Sequence, residues 1–319
     1  MRAIMIDSLG ATPRLEPAAE DPTPGPGEML IRVGACGLNF ADLLMIDGKY
    51  QEPRTPPFTP GMEVAGEVLA LGPGTTGWQV GQRVAGFPGR GGLAERATVP
   101  AERCVALPEG VDPVTGAAFQ VAYGTSHLAL EVARLAPGET LLVLGAAGGV
   151  GLSAVEVGRL MGARVIAVAR GSEKLAVAEA AGAQHLIDSD TADLRAEVKA
   201  LGGADVVYDP VGGAAFLEAL RATRPGGRML VIGFAGGEVQ QIPANLLLVK
   251  NIEVIGFYWG AYLGLAPDRF RSSLDRLGGW LAEGRLRPHV SHVLPLEQAA
   301  EGLELMRSRK STGKVVVAP

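Results

Sequence analysis

The sequence predicts an α/β fold in which a doubly wound parallel sheet is joined to a β-rich domain. Three observations carry that prediction. A glycine-rich turn at 145–151 separates a continuous apolar run from a helix-like segment. Strand-like and helix-like segments then alternate as far as residue 233. Residues 1 to 119, by contrast, are dense in Pro and Gly and hold only short strand-like runs.

In chain order, the short runs fall at residues 3–6, 29–34, 63–71, 83–87 and 94–99. Pro24-Gly-Pro-Gly27, Leu71-Gly-Pro-Gly74 and Val80-Gly81 punctuate them as tight turns would, which suits a compact β-rich domain. Leu141-Leu-Val-Leu144 is apolar at every position, as a central parallel strand covered on both faces requires. Residues 152–161 have helical apolar spacing and Gly162 closes the helix; residues 164–169 form a second apolar strand. Strand, helix and strand fit within about 30 residues, as a βαβ unit demands. A helix over 174–181, a strand over 204–209, a helix over 214–223 and a strand over 227–233 continue the alternation. Beyond residue 256 the pattern predicts helices near 268–283 and 296–308, then a strand at 314–318.

The turn carries chemistry as well as topology. In the G-x-G-x-x-G register Ala146 takes the first place, followed by Gly148 and Gly151, so the dinucleotide fingerprint is present in an A-x-G-x-x-G form. The backbone of Ala147, Gly148, Gly149, Val150 and Gly151 is expected to meet a pyrophosphate at the helix N-terminus. An acid at the end of the second strand would hold the adenosine ribose and favour NAD. None is there, and Arg170, Ser172 and Lys174 offer two cations and a hydroxyl in its place. That charge balance suits the 2′-phosphate of NADPH, although an ordinary solvated helix start would also contain such residues.

Composition excludes several classes. At 319 residues and 33.0 kDa, with 47% hydrophobic residues, the chain can bury a sizeable core and is expected to form two domains. A net charge of -5 without a basic stripe argues against nucleic acid as the main partner. The absence of a long apolar stretch or a basic-then-apolar leader argues against a membrane span and a secretory signal, so a cytoplasmic protein is expected. Cys36 and Cys104 are too few for a disulfide framework.

Several segments together resemble the medium-chain dehydrogenase/reductase superfamily, and within it the zinc-free, zeta-crystallin-like quinone oxidoreductases. They are Gly37-Leu-Asn-Phe-Ala-Asp42, Gly48-Lys-Tyr50, Pro60-Gly-Met-Glu-Val-Ala-Gly-Glu-Val68, Val80-Gly-Gln-Arg-Val84, the glycine turn and Val207-Tyr-Asp-Pro-Val-Gly212. Their order and spacing make the match far more specific than the glycine turn alone. The resemblance implies a Rossmann dinucleotide-binding domain over residues 121–256 and a GroES-like catalytic domain over 1–120 and 257–319, with the cofactor in the cleft between them. It also implies a homodimer formed along the sheet edge near residues 252–257.

Zinc-dependent relatives hold their metal with an early-loop cysteine and a histidine in a Gly-His-Glu stretch. Here Asn39 and Met62 stand at those places, and the four closely spaced cysteines of a structural zinc lobe are missing, so no metal is expected. Cys36 lies near the loop as a small core residue would. The four histidines, His127, His185, His289 and His292, show no ligand spacing.

Carried over position by position, the resemblance places Asn39, Asp42 and Tyr50 at the catalytic end. Asn39 would meet the nicotinamide ribose or the acceptor oxygen, and Tyr50 would donate to the acceptor or wall its pocket. Thr125, Val211, Gly233, Phe234, Phe257 and Tyr258 would line the nicotinamide, and Arg309 and Lys314 match a basic stretch that reaches the cofactor in relatives. The chain departs from the pattern at Leu44, where some relatives have a tyrosine, and at Ser189, where an adenosine-stacking tyrosine often stands.

Without zinc, hydride transfer to a simple ketone lacks an electrophile, whereas a conjugated acceptor delocalises the charge itself. The expected activity is therefore NADPH-dependent reduction of a quinone or another conjugated carbonyl. An enoyl or enone reductase, acting on a carbon–carbon double bond and perhaps on a thioester, is the alternative within the class. A non-catalytic NADPH-binding structural or RNA-binding protein is the alternative outside it. Asn39, Asp42 and Tyr50 favour the enzyme, since a structural role places no demand on those polar side chains.

Overall fold

The computed structural model describes all 319 residues, which divide into two compact units. One comprises Met1–Val121 with Leu274–Pro319, and the other Ala122–Ser273. No helix is long and apolar enough to cross a membrane.

The second unit is a six-stranded parallel sheet, in spatial order His185–Asp188, Arg164–Ala169, Thr140–Leu144, Ala204–Asp209, Thr223–Val231 and Glu253–Gly256. Numbered by chain order this is 3-2-1-4-5-6, the doubly wound arrangement of two mononucleotide-binding halves. All five residues of Thr140–Leu144 are buried, which explains why that strand reads as an unbroken apolar run. Helices Gly149–Leu160, Ser172–Ala180, Leu194–Ala200 and Gly213–Ala222 connect the strands. Phe216, Leu220, Val198 and Ile187 join strand residues Leu142, Ile166 and Val207 in one core. Every strand ends on the same edge of a parallel sheet, so the residues following Leu144, Ala169, Asp188, Asp209, Val231 and Gly256 are brought together.

The first unit is a seven-stranded sheet. Its main path runs Val290–Pro295, Lys314–Ala318, Glu28–Gly37, Val64–Leu71, Arg83–Gly86 and Cys104–Ala106, with Arg96–Pro100 paired to Glu28–Gly37. The C-terminal strand lies antiparallel to Glu28–Gly37, with Val316 opposite Gly37 and Val317 opposite Cys36. That register delivers Lys314, at the start of the strand, to the loop that follows Gly37.

The division differs from the sequence reading in one segment. Residues 257–273 were expected with the N-terminal domain, but they pack within the parallel-sheet unit. Trp259 stacks on Phe270 with ring centroids 4.7 Å apart, and Ser273 Oγ lies 2.8 Å from His127 Nδ1. Gly124 makes room for the indole, since a Cβ there would stand 2.7 Å from its ring. These apolar and hydrogen-bonded contacts hold the segment after its strand has ended.

Candidate functional site

At the parallel-sheet edge, the glycine turn crosses the point where strand order reverses, between Thr140–Leu144 and Ala204–Asp209. Gly145 takes a φ of 59°, and Gly151 lies so near the Gly145 carbonyl that any Cβ on Gly151 would collide with it. The turn is thereby folded tightly under the first turn of helix Gly149–Leu160. The amides of Gly149, Val150 and Gly151 belong to that first turn, where helical partners are lacking. Ala147 is 4% exposed, while Gly148 is open to solvent.

A buried hydroxyl network backs the turn. Ser126 Oγ and Ser153 Oγ are 2.8 Å apart, both reach the Val150 carbonyl at 3.0 Å, and Tyr208 Oη lies 3.1 Å from Ser126 Oγ. The network also ties the turn to helix Gln120–Val132, which carries Thr125, itself 8% exposed.

Val211 sits directly against the turn: a Cβ on Gly145 would be 2.9 Å from Val211 Cγ2. Asp209, which the sequence reading did not single out, shapes this spot. It is fully buried, and its Oδ1 accepts the amides of Val211 at 2.7 Å and Gly212 at 2.9 Å. Burial raises its carboxyl above the ordinary range, against those two amides. The Pro210 and Val211 carbonyls then accept from Ala235 and Gly236, fixing the turn that begins at Gly233 and Phe234. Phe234 is exposed and Phe257 is buried, its amide bonded to the Val231 carbonyl and its ring 5.1 Å from that of Tyr262. Tyr258, half-buried, follows it.

After the second strand, Arg170 is exposed and Lys174 lies in the first turn of helix Ser172–Ala180. Ser189 is exposed and donates its amide to the Ala169 carbonyl at 3.0 Å, which sets it beside Arg170. Two acids also arrive here that the sequence reading did not weigh, Asp188 and Asp190. Arg170 Nε meets Asp190 Oδ1 at 3.0 Å.

In the β-rich unit a different group of polar side chains converges, and it is buried. Lys314 Nζ donates to Glu63 Oε2 at 2.8 Å and to Asn39 Oδ1 at 2.7 Å. Asn39 Nδ2 reaches the Gly37 carbonyl and Glu63 Oε2, each at 3.1 Å. Glu63 Oε1 accepts the Val121 amide at 2.8 Å. Asp42 caps the start of helix Phe40–Ile46, its two oxygens accepting the amides of Asn39 at 2.8 Å and Gly61 at 3.1 Å. Asp42 and Glu63 are 0% exposed, Lys314 4% and Asn39 8%. Burial pushes the Asp42 carboxyl up to about 6, although the two amides and Lys314 oppose the rise.

Asn39 is oriented by its neighbours, because Lys can only donate and a carboxylate can only accept. With both amide hydrogens engaged, the capacity left on Asn39 is an acceptor lone pair. Tyr50 is half-buried at the bend after Phe40–Ile46, with its amide on the Leu44 carbonyl. Arg309 is exposed with a φ of 58°, in the left-handed residue that closes helix Ala299–Arg307. Within this unit, therefore, Asn39, Asp42 and Lys314 come together, and Glu63 joins them. The sequence signal for Glu63 is its place in Pro60-Gly-Met-Glu63, a segment that carries the family resemblance but gives no side-chain role to the acid.

No three His, Cys, Asp or Glu side chains are grouped to hold a metal ion. Met62 fills the histidine place of Gly-His-Glu, and the neighbouring acids are committed to Lys314 and to backbone amides. His289 lies 2.9 Å from Thr312 and His292 2.9 Å from Ser291.

Two family models match the chain: a zinc-binding dehydrogenase model over residues 149–278 and an alcohol dehydrogenase GroES-like domain model over residues 25–109. Quinone oxidoreductase-like protein 2 of Bos taurus is 42% identical over 298 residues, 92% of this chain and 85% of that protein. The quinone oxidoreductase of Thermus thermophilus, also solved in its complex with NADPH, matches with a TM-score of 0.90 and 38% identity over 100% of both chains. Escherichia coli quinone oxidoreductase complexed with NADPH matches with a TM-score of 0.93 and 25% identity, again over 100% of both chains.

Proposed function

This chain belongs to the medium-chain dehydrogenase/reductase superfamily, in its quinone oxidoreductase branch, and we propose that it is an NADPH-dependent reductase of quinones or other conjugated carbonyls that works without zinc. The observation that carries the proposal is the strand-end edge, where the A-x-G-x-x-G turn and Arg170 follow adjacent strands at the reversal of strand order.

The residues present fit the cofactor. Gly151 lets the helix start close against the Gly145 carbonyl, Gly148 is exposed with only that carbonyl near its missing Cβ, and the Gly149, Val150 and Gly151 amides would receive a pyrophosphate. Arg170 and Lys174, with Ser189 beside the first, would take the 2′-phosphate. Bound NADPH would supply the hydride. The donor set does not fit zinc, so no step is assigned to a metal. Hydride addition to a quinone or to the β-carbon of an enone spreads charge onto an oxygen, and this lowers the demand for an electrophile. Within the β-rich unit, Lys314 and Glu63 fix Asn39 so that it offers an acceptor, suited to a hydroxyl. Asp42 holds the loop backbone, and Tyr50 is assigned as the hydroxyl donor to the acceptor oxygen.

We further propose a homodimer along the outer strand Glu253–Gly256, beside which Leu248 and Val249 are 79% and 78% exposed. A cytoplasmic location suits the two buried free cysteines.

A panel of simple quinones, enones and enoyl thioesters, assayed with NADPH and NADH before and after treatment with a strong chelator, tests the proposal. The expected result is quinone-dependent NADPH oxidation that survives chelation. Activity lost on chelation and restored by zinc would overturn the metal-free reading. Turnover confined to enoyl thioesters would move the substrate class to the carbon–carbon double bond.

A further inference from the structure

The NADPH reading gives Arg170 to the 2′-phosphate, and the structure gives the same arginine a resident anion. Strands Arg164–Ala169 and His185–Asp188 run side by side, with Asp188 opposite Ala169. Asp188 Oδ1 accepts the amide of Gly171 at 3.1 Å and that of Asp190 at 3.0 Å, and Ser189 donates to the Ala169 carbonyl. Two of these bonds staple the turn after one strand to the turn after the next, and the Asp190 amide folds the second turn back onto Asp188. Amide donation from Asp190 and Gly171 holds the Asp188 carboxyl below its usual range, so the staple keeps its charge at neutral pH. Its consequence is geometric: Asp190 is presented to Arg170 at 3.0 Å, with side chains 51% and 62% exposed respectively.

We infer that Asp190 is a specificity-determining residue that occupies Arg170 in the free protein and is displaced from it by the 2′-phosphate of the dinucleotide. The inference rests on the NADPH reading and goes beyond it. An ion pair this exposed is weak, so opening it costs little. A 2′-phosphate brings close to two negative charges and three acceptor oxygens against one carboxylate, and a guanidinium fork can take it bidentately. Exchange therefore favours the phosphate, but each binding event must break the resident pair and bring the phosphate close to Asp190. A dinucleotide without that phosphate has nothing to gain from the exchange. Asp190 thus lowers affinity for NADPH selectively, and the same contact helps Arg170 release the oxidised cofactor.

The test is a fluorescence titration with NADPH and with NADH on the full chain. It compares wild type, Asp190→Asn, Asp190→Ala, Arg170→Ala and the Arg170→Ala/Asp190→Asn double variant. Both positions are exposed, and unchanged thermal unfolding checks that each variant folds. Removing the carboxylate is expected to tighten NADPH by about two- to fivefold, to leave NADH unchanged, and to have a smaller effect once Arg170 is gone. Unchanged or weaker NADPH binding in both Asp190 variants, with wild type still preferring NADPH, would overturn the role of Asp190 alone. Weaker NADH binding in those variants would also overturn it, by showing that Asp190 holds a ribose hydroxyl. If wild type binds the two cofactors equally and Arg170→Ala alters neither, the NADPH reading itself fails and the inference falls with it.

Discussion

Lys314 and Glu63 meet at 2.8 Å in the β-rich unit, and Arg170 and Asp190 meet at 3.0 Å in the parallel-sheet unit. The side chains of the first pair are 5% and 0% exposed, those of the second 62% and 51%. Nearly equal distances thus hide opposite energetics. In the interior each charge has lost its water, and every remaining lone pair and proton must find a protein partner. Lys314, Glu63, Asn39 and the Val121 amide form such a set, and removing any member leaves a buried orphan. At the edge, water replaces a lost partner at almost no cost. The buried pair can therefore hold a loop in place but cannot readily be given up to a ligand, while the exposed pair can exchange its anion and does little for stability.

Substitutions can break this contrast at several levels. Glu63→Ala leaves Lys314 buried and uncompensated, and the expected loss of stability is about 3–5 kcal/mol, read by denaturant or thermal unfolding. Arg170→Ala by the same measurement should change stability by less than about 1 kcal/mol; equal losses would erase the distinction between the two pairs.

Asp42 gives the buried cluster a pH signature. Its folded-state carboxyl, held near 6, lies above the value of about 3.9 expected for an unfolded chain. The folded protein therefore takes up this proton first as pH falls. The group contributes stability that is fully present below about pH 4, is lost as pH rises through about 6, and totals about 3 kcal/mol. Asp42→Asn cannot titrate, so the stability advantage of wild type over that variant should widen between about pH 7 and about pH 4.5. A gap that stays constant would mean that Asp42 keeps an ordinary carboxylate affinity despite its burial.

Two smaller effects belong to the edge. In Gly151→Ala the new methyl collides with the Gly145 carbonyl, and forcing the turn apart should weaken NADPH binding by about tenfold or more. Arg170→Ala should weaken NADPH by about five- to tenfold while leaving NADH nearly unchanged, as loss of a charge-assisted phosphate contact predicts.

Legibility in the sequence follows the same division between local and distant contacts. Strands Arg164–Ala169, Ala204–Asp209 and Lys314–Ala318 were readable to the residue because each is a short, mostly apolar run with clear boundaries. The third strand of the sheet, His185–Asp188, escaped because it has four residues and only Ile187 is buried. Thr223–Val231 begins four residues before the strand read from Gly227, across Thr223-Arg-Pro-Gly226, whose proline and glycine read as a turn. The glycine turn was legible because its requirement is local: no side chain fits beneath the first helical turn. Glu63 and Lys314 lie 251 residues apart, and nothing near either one announces the other. Asp190 was missed for a related reason, since a strand pairing and two amides on Asp188 are what bring it to Arg170.

Cofactor choice is thereby assigned to the exposed charges of the parallel-sheet edge. Titrations of wild type with NADPH and NADH at low and at high salt test it most directly. NADPH should bind more tightly at low salt, and the gap should shrink as salt screens the exposed phosphate contacts. Equal affinities at low salt, or an NADPH preference that salt leaves unchanged, would contradict it.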